Sequence, residues 1–265
     1  MSTATIDTRR IGFDSDTFDA FLASRSEPSW ITDARRAAFD TYQNFLHEDL
    51  NPEEFKRVDL RVFNAGKFRP NAEAIDSTAI STLLCDKTEF GGSTAHVNGH
   101  STYSQVSDEI KGQGVLFGEL QTLLTSHREL LEPYFMKQAV RPDSDRFSAW
   151  HAAFWTGGTL LYVPRNVDVA LPLHSLIAHS RNGVAEFSIA GLHVGCVELI
   201  VGRNANLRYV QLQNWNQNSW HFAHQAGVVS SNASLQWTVV GLGSKLSHIH
   251  QDINLNGRAA TAEVN

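Results

Sequence analysis

Cysteine is scarce in this sequence, which has only Cys85 and Cys196 among its 265 residues. Neither has a Cys-x-x-Cys or Cys-x-x-His neighbour, so a multi-cysteine zinc site and a disulfide framework are excluded as the basis of the fold. A single bridge stays open, but nothing in the sequence indicates export, and we expect free thiols in a reducing compartment. Cys196 is flanked by Gly195 and Val197, a setting typical of a buried, unreactive thiol.

Long apolar runs and an excess of basic residues are also missing. No run approaches the roughly 18 residues that a membrane-spanning helix requires, and residues 1–10 lack the apolar segment of a secretory signal peptide. The formal net charge is −6, which disfavours nucleic acid and anionic membranes as partners. With 42% hydrophobic residues, the composition predicts a soluble cytoplasmic protein of one or two domains.

The common catalytic and nucleotide-binding motifs are absent as well. Gly112-Gln113-Gly114 and Gly241-Leu242-Gly243 lack the lysine spacing of a Walker loop and the third glycine of a dinucleotide fingerprint. There is no Gly-x-Ser-x-Gly elbow. Glu186 and Glu198 could face each other as a glycosidase pair, but sequence spacing does not give their separation. The sequence therefore predicts no catalytic residue and no cofactor-binding residue.

One phrase occurs three times in the second half of the chain, as Asn166-Val167-Asp168-Val169, Asn204-Ala205-Asn206-Leu207 and Asn232-Ala233-Ser234-Leu235. The copies are offset by 38 and 28 residues, and each follows a short turn and precedes alternating apolar and polar residues. A recurring turn and strand is typical of a solenoid, whose units bury their apolar faces by stacking. The same short strands could form a sandwich, but the aligned phrases favour stacked layers.

Hydrophobic periodicity indicates two regions. The apolar spacing predicts helices that begin at Ser29 and that lie within Gly114–Val140 and Phe147–Trp155. Further on, the period changes to about two. We therefore predict an N-terminal helical and α+β region over 1–155 and a β-solenoid core over 156–265. The pattern stops without a cap, so we expect this core to be incomplete at its C-terminal end.

His248 and His250 form a metal-binding pattern. One residue apart on a strand, their imidazoles share a face and can chelate an ion. The surrounding residues are similar to the first metal motif of cupins, but Asn254 and Leu255 stand where its carboxylate ligand is expected. A third and a fourth ligand would have to come from elsewhere. The pattern supports an alternative function, a β-helical or cupin-like metal-dependent enzyme acting on a small molecule or a carbohydrate.

A second pair of histidines, His221 and His224, is close in sequence to Trp215 and Trp220. Histidine and tryptophan are ordinary residues of partly buried strands, which favours packing in the core. A tryptophan-rich patch also anchors protein interfaces, so a heterodimer surface is the alternative.

Several longer phrases have counterparts in one known family. In chain order they are Glu27-Pro28-Ser29-Trp30, Phe147–Trp155, Gly158–Pro164, Val169–Leu173, Val197–Gly202, Leu207-Arg208-Tyr209 and Leu212-Gln213-Asn214-Trp215. In these phrases the chain resembles the SufB/SufD proteins of the SUF iron–sulfur cluster assembly system. The matches keep their order over roughly residues 25–257 and are specific only when taken together.

This resemblance implies a mostly β protein with a right-handed parallel β-helix core behind an N-terminal α/β region. It implies a non-catalytic scaffold without a cofactor of its own. Such a scaffold pairs with a SufB-type or SufD-type family member, binds the SufC ATPase and contacts an iron–sulfur cluster transiently at the partner interface. In this family SufC docks on C-terminal helices beyond the β-helix, and none is predicted before Asn265, so the sequence itself does not support SufC binding.

The resemblance also assigns roles to individual residues. Gln213 and Trp215 match a phrase that SufB-like proteins associate with an interior path for sulfur. His224 stands where the family commonly has lysine. The segment that carries the sulfur-accepting cysteine of SufB is shortened here, between Leu173 and Leu192, and Cys196 does not take its place. The chain is therefore similar to SufD or to a shortened member of the family.

Overall fold

The computed structural model describes residues 13–56, 58–60, 62–70, 89–179 and 191–265, so Cys85 and Glu186 lie outside the described residues. Helices α1–α7 span Ser15–Ala23, Ser29–Phe45, Pro52–Phe55, Asp108–Gly112, Leu120–Ser126, Arg128–Leu131 and Arg146–Phe154. Strands β1–β11 span Gly92–Val97, His100–Val106, Leu116–Glu119, Thr159–Tyr162, Leu173–Ala178, Leu192–Val201, Asn206–Asn214, Trp220–Val229, Ser234–Gly243, Leu246–Leu255 and Thr261–Val264. Among the described helices, none has the length and apolar content to cross a membrane.

The chain forms two compact units that are discontinuous in sequence. The first contains residues 1–69, 134–154 and 187–265, and the second contains residues 70–133 and 155–186. The division into domains at residue 155 stays a prediction.

Two three-stranded parallel sheets form the β-sheet part of the first unit. One has the order β10-β8-β6 and is called the β8 sheet here, and the other has the order β11-β9-β7 and is called the β9 sheet. In the β8 sheet Trp220 is level with Leu192 on one side and Leu246 on the other. In the β9 sheet Ser234 is level with Asn206 and Thr261. The repeated phrases at Asn204 and Asn232 therefore lie side by side, as their spacing indicates.

Strand β8 is buried along all of its residues. One face packs on an aromatic core, where Phe222 stacks on Phe147 of α7 with 4.6 Å between ring centroids and contacts Phe63 edge to face. The other face packs on the β9 sheet so closely that a Cβ atom at Gly227 would lie 3.0 Å from the side chain of Leu235. Covering both faces removes a large apolar area from water, which is the main favourable term in folding.

The buried Arg35 side chain joins α2 to Glu27 and to α7. The apolar stripe of α2 buries Ile31, Phe39 and Tyr42, and Arg35 lies among them with only 1% of its surface exposed. Its guanidinium donates two hydrogen bonds to the Glu27 carboxylate, at 2.7 and 2.8 Å, and one to the Ala153 carbonyl at 3.1 Å. Burial lowers the pKa of Arg35 to about 10, against the effect of Glu27. Burial would raise the pKa of Glu27, but hydrogen bonds from Arg35 outweigh it and lower that pKa.

Three identical turns connect the β8 sheet to the β9 sheet. In each, the fourth residue donates a backbone hydrogen bond to the first, as Ala205 to Gly202, Ala233 to Ser230 and Ala260 to Gly257. The third residue has a positive φ angle, 61° at Asn204, 56° at Asn232 and 58° at Ala259. Asparagine tolerates this left-handed conformation because its side chain can form local hydrogen bonds, whereas alanine is strained in it. The repeated sequence phrase did not indicate the third turn because Ala259 stands there in place of asparagine.

The prediction of a right-handed parallel β-helix over residues 156–265 is wrong. The described strands form four small sheets of two or three strands, both parallel and mixed, and none of these closes on itself or continues as a solenoid. Strand β4 pairs antiparallel with β3, and β5 pairs with β1. The hydrogen-bonding groups of β4 and β5 are thus satisfied by strands from before residue 120. The Asn166 phrase has the same positive φ angle, but Val167 follows it as a loop.

Substituting Ala259 by glycine is expected to stabilise the protein by about 1 kcal/mol, because glycine adopts a positive φ angle without steric cost. The matched change Ala262→Gly, in the ordinary extended backbone of β11, is expected to destabilise it by about 0.5–1 kcal/mol. Urea denaturation of the two variants and the wild type measures both changes. Equal effects of the same sign would contradict the strained turn.

Replacing Arg35 by methionine is expected to destabilise the protein by about 3 kcal/mol, because it leaves the buried Glu27 carboxylate with only the Arg25 guanidinium as a charged partner. The control Arg36→Met removes an exposed arginine from the same helix and is expected to change the stability by less than about 0.5 kcal/mol. The double variant Arg35→Met/Glu27→Leu should recover most of the loss in the same denaturation assay. A double variant as unstable as Arg35→Met would show that the pairing of charges is not what matters.

Candidate functional site

Gln213 and Trp215 lie on the side of the β8 and β9 sheets where the two sheets face each other. The Gln213 side-chain amide donates to the carbonyl of Gly243. The Trp215 indole donates to Nδ1 of His221 at 3.1 Å, and the His193 ring packs on Trp215 with 4.7 Å between centroids. An indole N–H can only donate, so Nδ1 of His221 is the acceptor and its proton is on Nε2.

Gly243 is needed for this arrangement. The register of β7 on β9 shifts between Gln213 and Asn214, which sets Asn214 opposite Gly243. A Cβ atom at Gly243 would lie only 2.4 Å from the backbone oxygen of Trp215. Any other residue would push the Trp215 segment away from His221.

The space between the two sheets also holds buried glutamines. Gln225 of β8 is fully buried, and neither atom of its side-chain amide has a hydrogen-bond partner among the described residues. Two more buried amide atoms also lack a hydrogen-bond partner among the described residues, the nitrogen of the neighbouring Gln251 and the oxygen of Gln211 on β7. Buried amides without partners are costly, so this interior suits a polar occupant or water better than it suits an apolar one.

A second group of polar side chains lies on the opposite face of the β8 sheet. Because side chains alternate along a strand, His221 and His224 point to opposite faces and do not form one cluster. His224 is level with Cys196 of β6 and His250 of β10, and the rings of His224 and His250 lie 4.6 Å apart. We call His224, His250 and Asp252 the His224 triad.

Carboxylates hold both imidazoles of the triad. Nδ1 of His224 lies 2.7 Å from Oδ2 of Asp145, and Nδ1 of His250 lies 3.1 Å from Oε1 of Glu54. Their Nε2 atoms lie 3.9 and 2.7 Å from Oδ2 of Asp252. His248 lies on the same face of β10, but its Nε2 contacts Glu54 at 3.0 Å rather than Asp252.

Local capping places the Asp145 carboxylate. Its Oδ1 accepts the backbone N–H of Ser148 at 2.6 Å, and its own N–H donates to the Ser148 hydroxyl at 3.0 Å. This reciprocal pair starts α7 and leaves the second oxygen of Asp145 free to face His224. Burial would raise the pKa of Asp145, but the hydrogen bonds from His224 and Ser148 lower it. Burial would lower the pKa of His250, but Asp252 and Glu54 raise it.

Cys196 is a free thiol that packs against the aromatic core. Burial raises the pKa of this thiol, and the negative charges of Glu198 and Asp145 add to the increase. The thiol is therefore protonated at neutral pH, which agrees with the expectation of an unreactive cysteine.

Glu198, a candidate glycosidase carboxylate in the sequence, holds the loop from Met136 to Val140 in place. Its Oε2 accepts the backbone N–H of Met136 at 2.8 Å, and its Oε1 accepts that of Val140 at 3.1 Å. Burial raises the pKa of Glu198 to about 7, and the two backbone hydrogen bonds oppose the increase. The carboxyl group therefore gains its charge only near neutral pH.

Sequence reasoning found His250 but missed the residues that hold it. Asp145 and Glu54 are 79 and 196 residues from the histidines that they contact. Only Asp252, two residues from His250 on the same face of a strand, could have been found from spacing. Gln213 and Trp215 as sulfur-path residues, and His248 and His250 as metal ligands, stay predictions.

Glu198 gives a pH dependence with a definite sign. Between the ordinary glutamate pKa of 4.5 and about pH 7 the folded protein binds more protons at Glu198 than the unfolded chain, so stability falls as the pH rises through this window. At about 1.4 kcal/mol per pH unit, the total loss is about 3 kcal/mol. In urea denaturation the stability of wild type relative to Glu198→Gln should decline from about pH 5 to about pH 7 and then stay level. A constant difference would contradict the assignment; the lost hydrogen bond contributes only a fixed offset.

Two family sequence models match this chain. The SufBD protein N-terminal region matches residues 17–174, and the SUF system FeS cluster assembly SufBD core domain matches residues 173–265. Together they extend over the helices, both parallel sheets and all residues of the His224 triad.

Curated relatives are similar over most of the chain. An iron–sulfur cluster assembly SufBD family protein of Staphylococcus saprophyticus is 27% identical over 88% of this chain and 53% of its own length. The iron–sulfur cluster assembly protein SufB of Bacillus subtilis is 22% identical over 89% of this chain and 58% of its own length. A SufBD family protein of Staphylococcus epidermidis is 26% identical over 89% and 58%. The chain thus spans about half the length of the curated relatives that it matches.

Proposed function

The chain belongs to the SufBD family of iron–sulfur cluster assembly proteins, and we propose that it is a non-catalytic scaffold subunit of that assembly. The two consecutive family matches, from residue 17 to residue 265, carry the proposal. In this role the chain pairs with a SufB-type family member and works with the SufC ATPase. The iron–sulfur cluster is cargo that it helps to build or transfer.

The outer face of the β9 sheet is the surface that we assign to the partner. Val210 and Leu212 of β7 and Leu242 of β9 point away from the β8 sheet, and more than 60% of the surface of each is exposed. Exposed apolar side chains gathered on a rigid sheet are typical of protein interaction sites. On the same face of β7, two residues before Val210, Arg208 donates a hydrogen bond to the side chain of Gln236 at 3.0 Å, which adds a polar rim to the apolar surface.

Gln213 and Trp215 are proposed as the residues that line an interior path for sulfur. Their side chains lie between the two sheets, near the unpartnered amides of Gln211 and Gln225. A polar interior of this kind lowers the cost of admitting a polar sulfur species.

Co-purification of the chain with the SufB-type and SufC proteins of the same organism tests the scaffold function. We expect a complex that co-elutes in size-exclusion chromatography. The variant Leu212→Glu should abolish co-elution because it buries a charge in the interface, while the control Val62→Glu, at another exposed apolar side chain, should leave it unchanged.

A chain that elutes alone with both proteins present would overturn the scaffold function. If the complex forms but Leu212→Glu and Val62→Glu behave alike, the partner contacts another face, and only the assignment of the β9 sheet is wrong.

A further inference from the structure

The His224 triad has the features of a metal centre. One ligand atom from each of His224, His250 and Asp252 lies within 4.8 Å of the others. Ligands at about 2.0–2.2 Å from a single ion lie up to about 4.4 Å apart. Small rotations of the exposed Asp252 side chain and of His250 are therefore enough to bring all three onto one ion.

From this geometry we propose that the His224 triad binds one divalent transition-metal ion through two imidazoles and one carboxylate. The site is separate from the scaffold role and does not depend on it. It also differs from the His248–His250 pair predicted from the sequence, because His248 contacts Glu54 and the two ligands besides His250 are His224 and Asp252.

The arrangement around the imidazoles carries the proposal. Both Nδ1 atoms face carboxylates, Asp145 for His224 and Glu54 for His250. Carboxylates only accept hydrogen bonds, so Nδ1 of His224 carries the proton and its Nε2 presents a lone pair, while His250 faces carboxylates through both of its ring nitrogens. Metal-binding histidines are held in this way by outer carboxylates, which orient the ring and increase its basicity. Here two histidines from different strands are held so that their Nε2 atoms converge on the same oxygen of Asp252.

The carboxylates around the His224 triad also favour the binding of a cation. Nε2 of His250 and Oδ2 of Asp252 lie 2.7 Å apart. Because a carboxylate oxygen only accepts, a proton on Nε2 or a metal ion must lie between these two atoms. Asp145, Asp252 and Glu54 bring three negative charges to the imidazoles of His224, His248 and His250, and this negative charge attracts a divalent cation.

The His224 triad has one buried ligand, which fixes the site in the protein, and one exposed ligand, which lets an ion enter. His224 is 4% exposed and lies on the fully buried strand β8, while the side chain of Asp252 is 66% exposed. The ion can therefore enter from the side of Asp252, where solvent water would complete its coordination. Imidazole and carboxylate ligands together suit Fe²⁺, Co²⁺, Ni²⁺ and Zn²⁺, whereas Mg²⁺ prefers oxygen ligands alone.

Titration of the tag-free chain with Co²⁺, followed by visible absorption and equilibrium dialysis, tests the site. We expect one tightly bound ion per chain, displaced by Zn²⁺ and unaffected by excess Mg²⁺. The variants His250→Ala and Asp252→Asn change side chains that are partly exposed, so both should fold. Each should weaken binding by at least the about 10–100-fold known for outer carboxylates.

Asp145→Asn tests the outer shell separately. Asparagine still caps α7 through its single amide oxygen, so the fold is kept, but its NH2 group then faces Nδ1 of His224 and the ring proton moves to Nε2, the ligand atom. We expect Co²⁺ binding to weaken about 10–100-fold. The control His47→Ala removes an exposed histidine of the same unit and should leave binding unchanged.

Two results would overturn the proposal. One is binding that is weak, non-stoichiometric or equally sensitive to Mg²⁺. The other is stoichiometric binding that His250→Ala and Asp252→Asn leave at the wild-type level, which would place the ion elsewhere among the histidines. Circular dichroism of each variant confirms that a loss of binding is not a loss of fold.

Discussion

The burial of strand β8 on both faces is the constraint on which the first unit depends. A central strand has no exposed edge, so both rows of its backbone groups must pair, and β6 and β10 supply that pairing in parallel register. Its apolar side chains need cover on two sides, which α7 and the β9 sheet provide. Its polar side chains cannot reach bulk water, so their hydrogen bonds must come from within the protein or from enclosed water. Nδ1 of His224 contacts Asp145, and Nδ1 of His221 accepts a hydrogen bond from Trp215. The two groups of functional interest therefore lie on opposite faces of one strand.

Charges inside this unit are handled in two different ways. Arg35 and Glu27 are both buried and neutralise each other, so they bind the helices together and offer nothing to a ligand. His224, His248 and His250 face the carboxylates of Asp145, Glu54 and Asp252, and the Asp252 carboxylate is exposed to solvent. An excess of negative charge with access to water is retained where an ion or a proton is to be received. The difference separates a structural ion pair from a candidate binding site.

Local patterns in the sequence predicted local structure well. The apolar stripe after Ser29 corresponds to α2, and Phe147–Trp155 corresponds to α7, because helical periodicity depends on near neighbours. The spacing within Gly114–Val140 predicted a helix, but that stretch begins with β3 and continues as two short helices, since pairing with β4 overrides propensity. The β-helix was wrong for the same reason: a phrase of four residues specifies a turn but not the strand that pairs with it. The His224 triad required Asp145 and Glu54, which only the folded chain brings near the histidines.

Because side chains alternate between the two faces of β8, the number of residues in this strand determines which side chains reach each site. A single inserted residue within Trp220–Val229 would move every following side chain to the opposite face. His224 would then enter the space between the sheets, and its neighbours would turn toward Asp145 and the aromatic core. Changes of length are therefore compatible with both sites in the turns between the sheets, such as Gly202–Ala205 and Ser230–Ala233, outside the paired strands. Natural variation in this part of the chain should accordingly change residue types more readily than it changes the count of residues from one turn to the next.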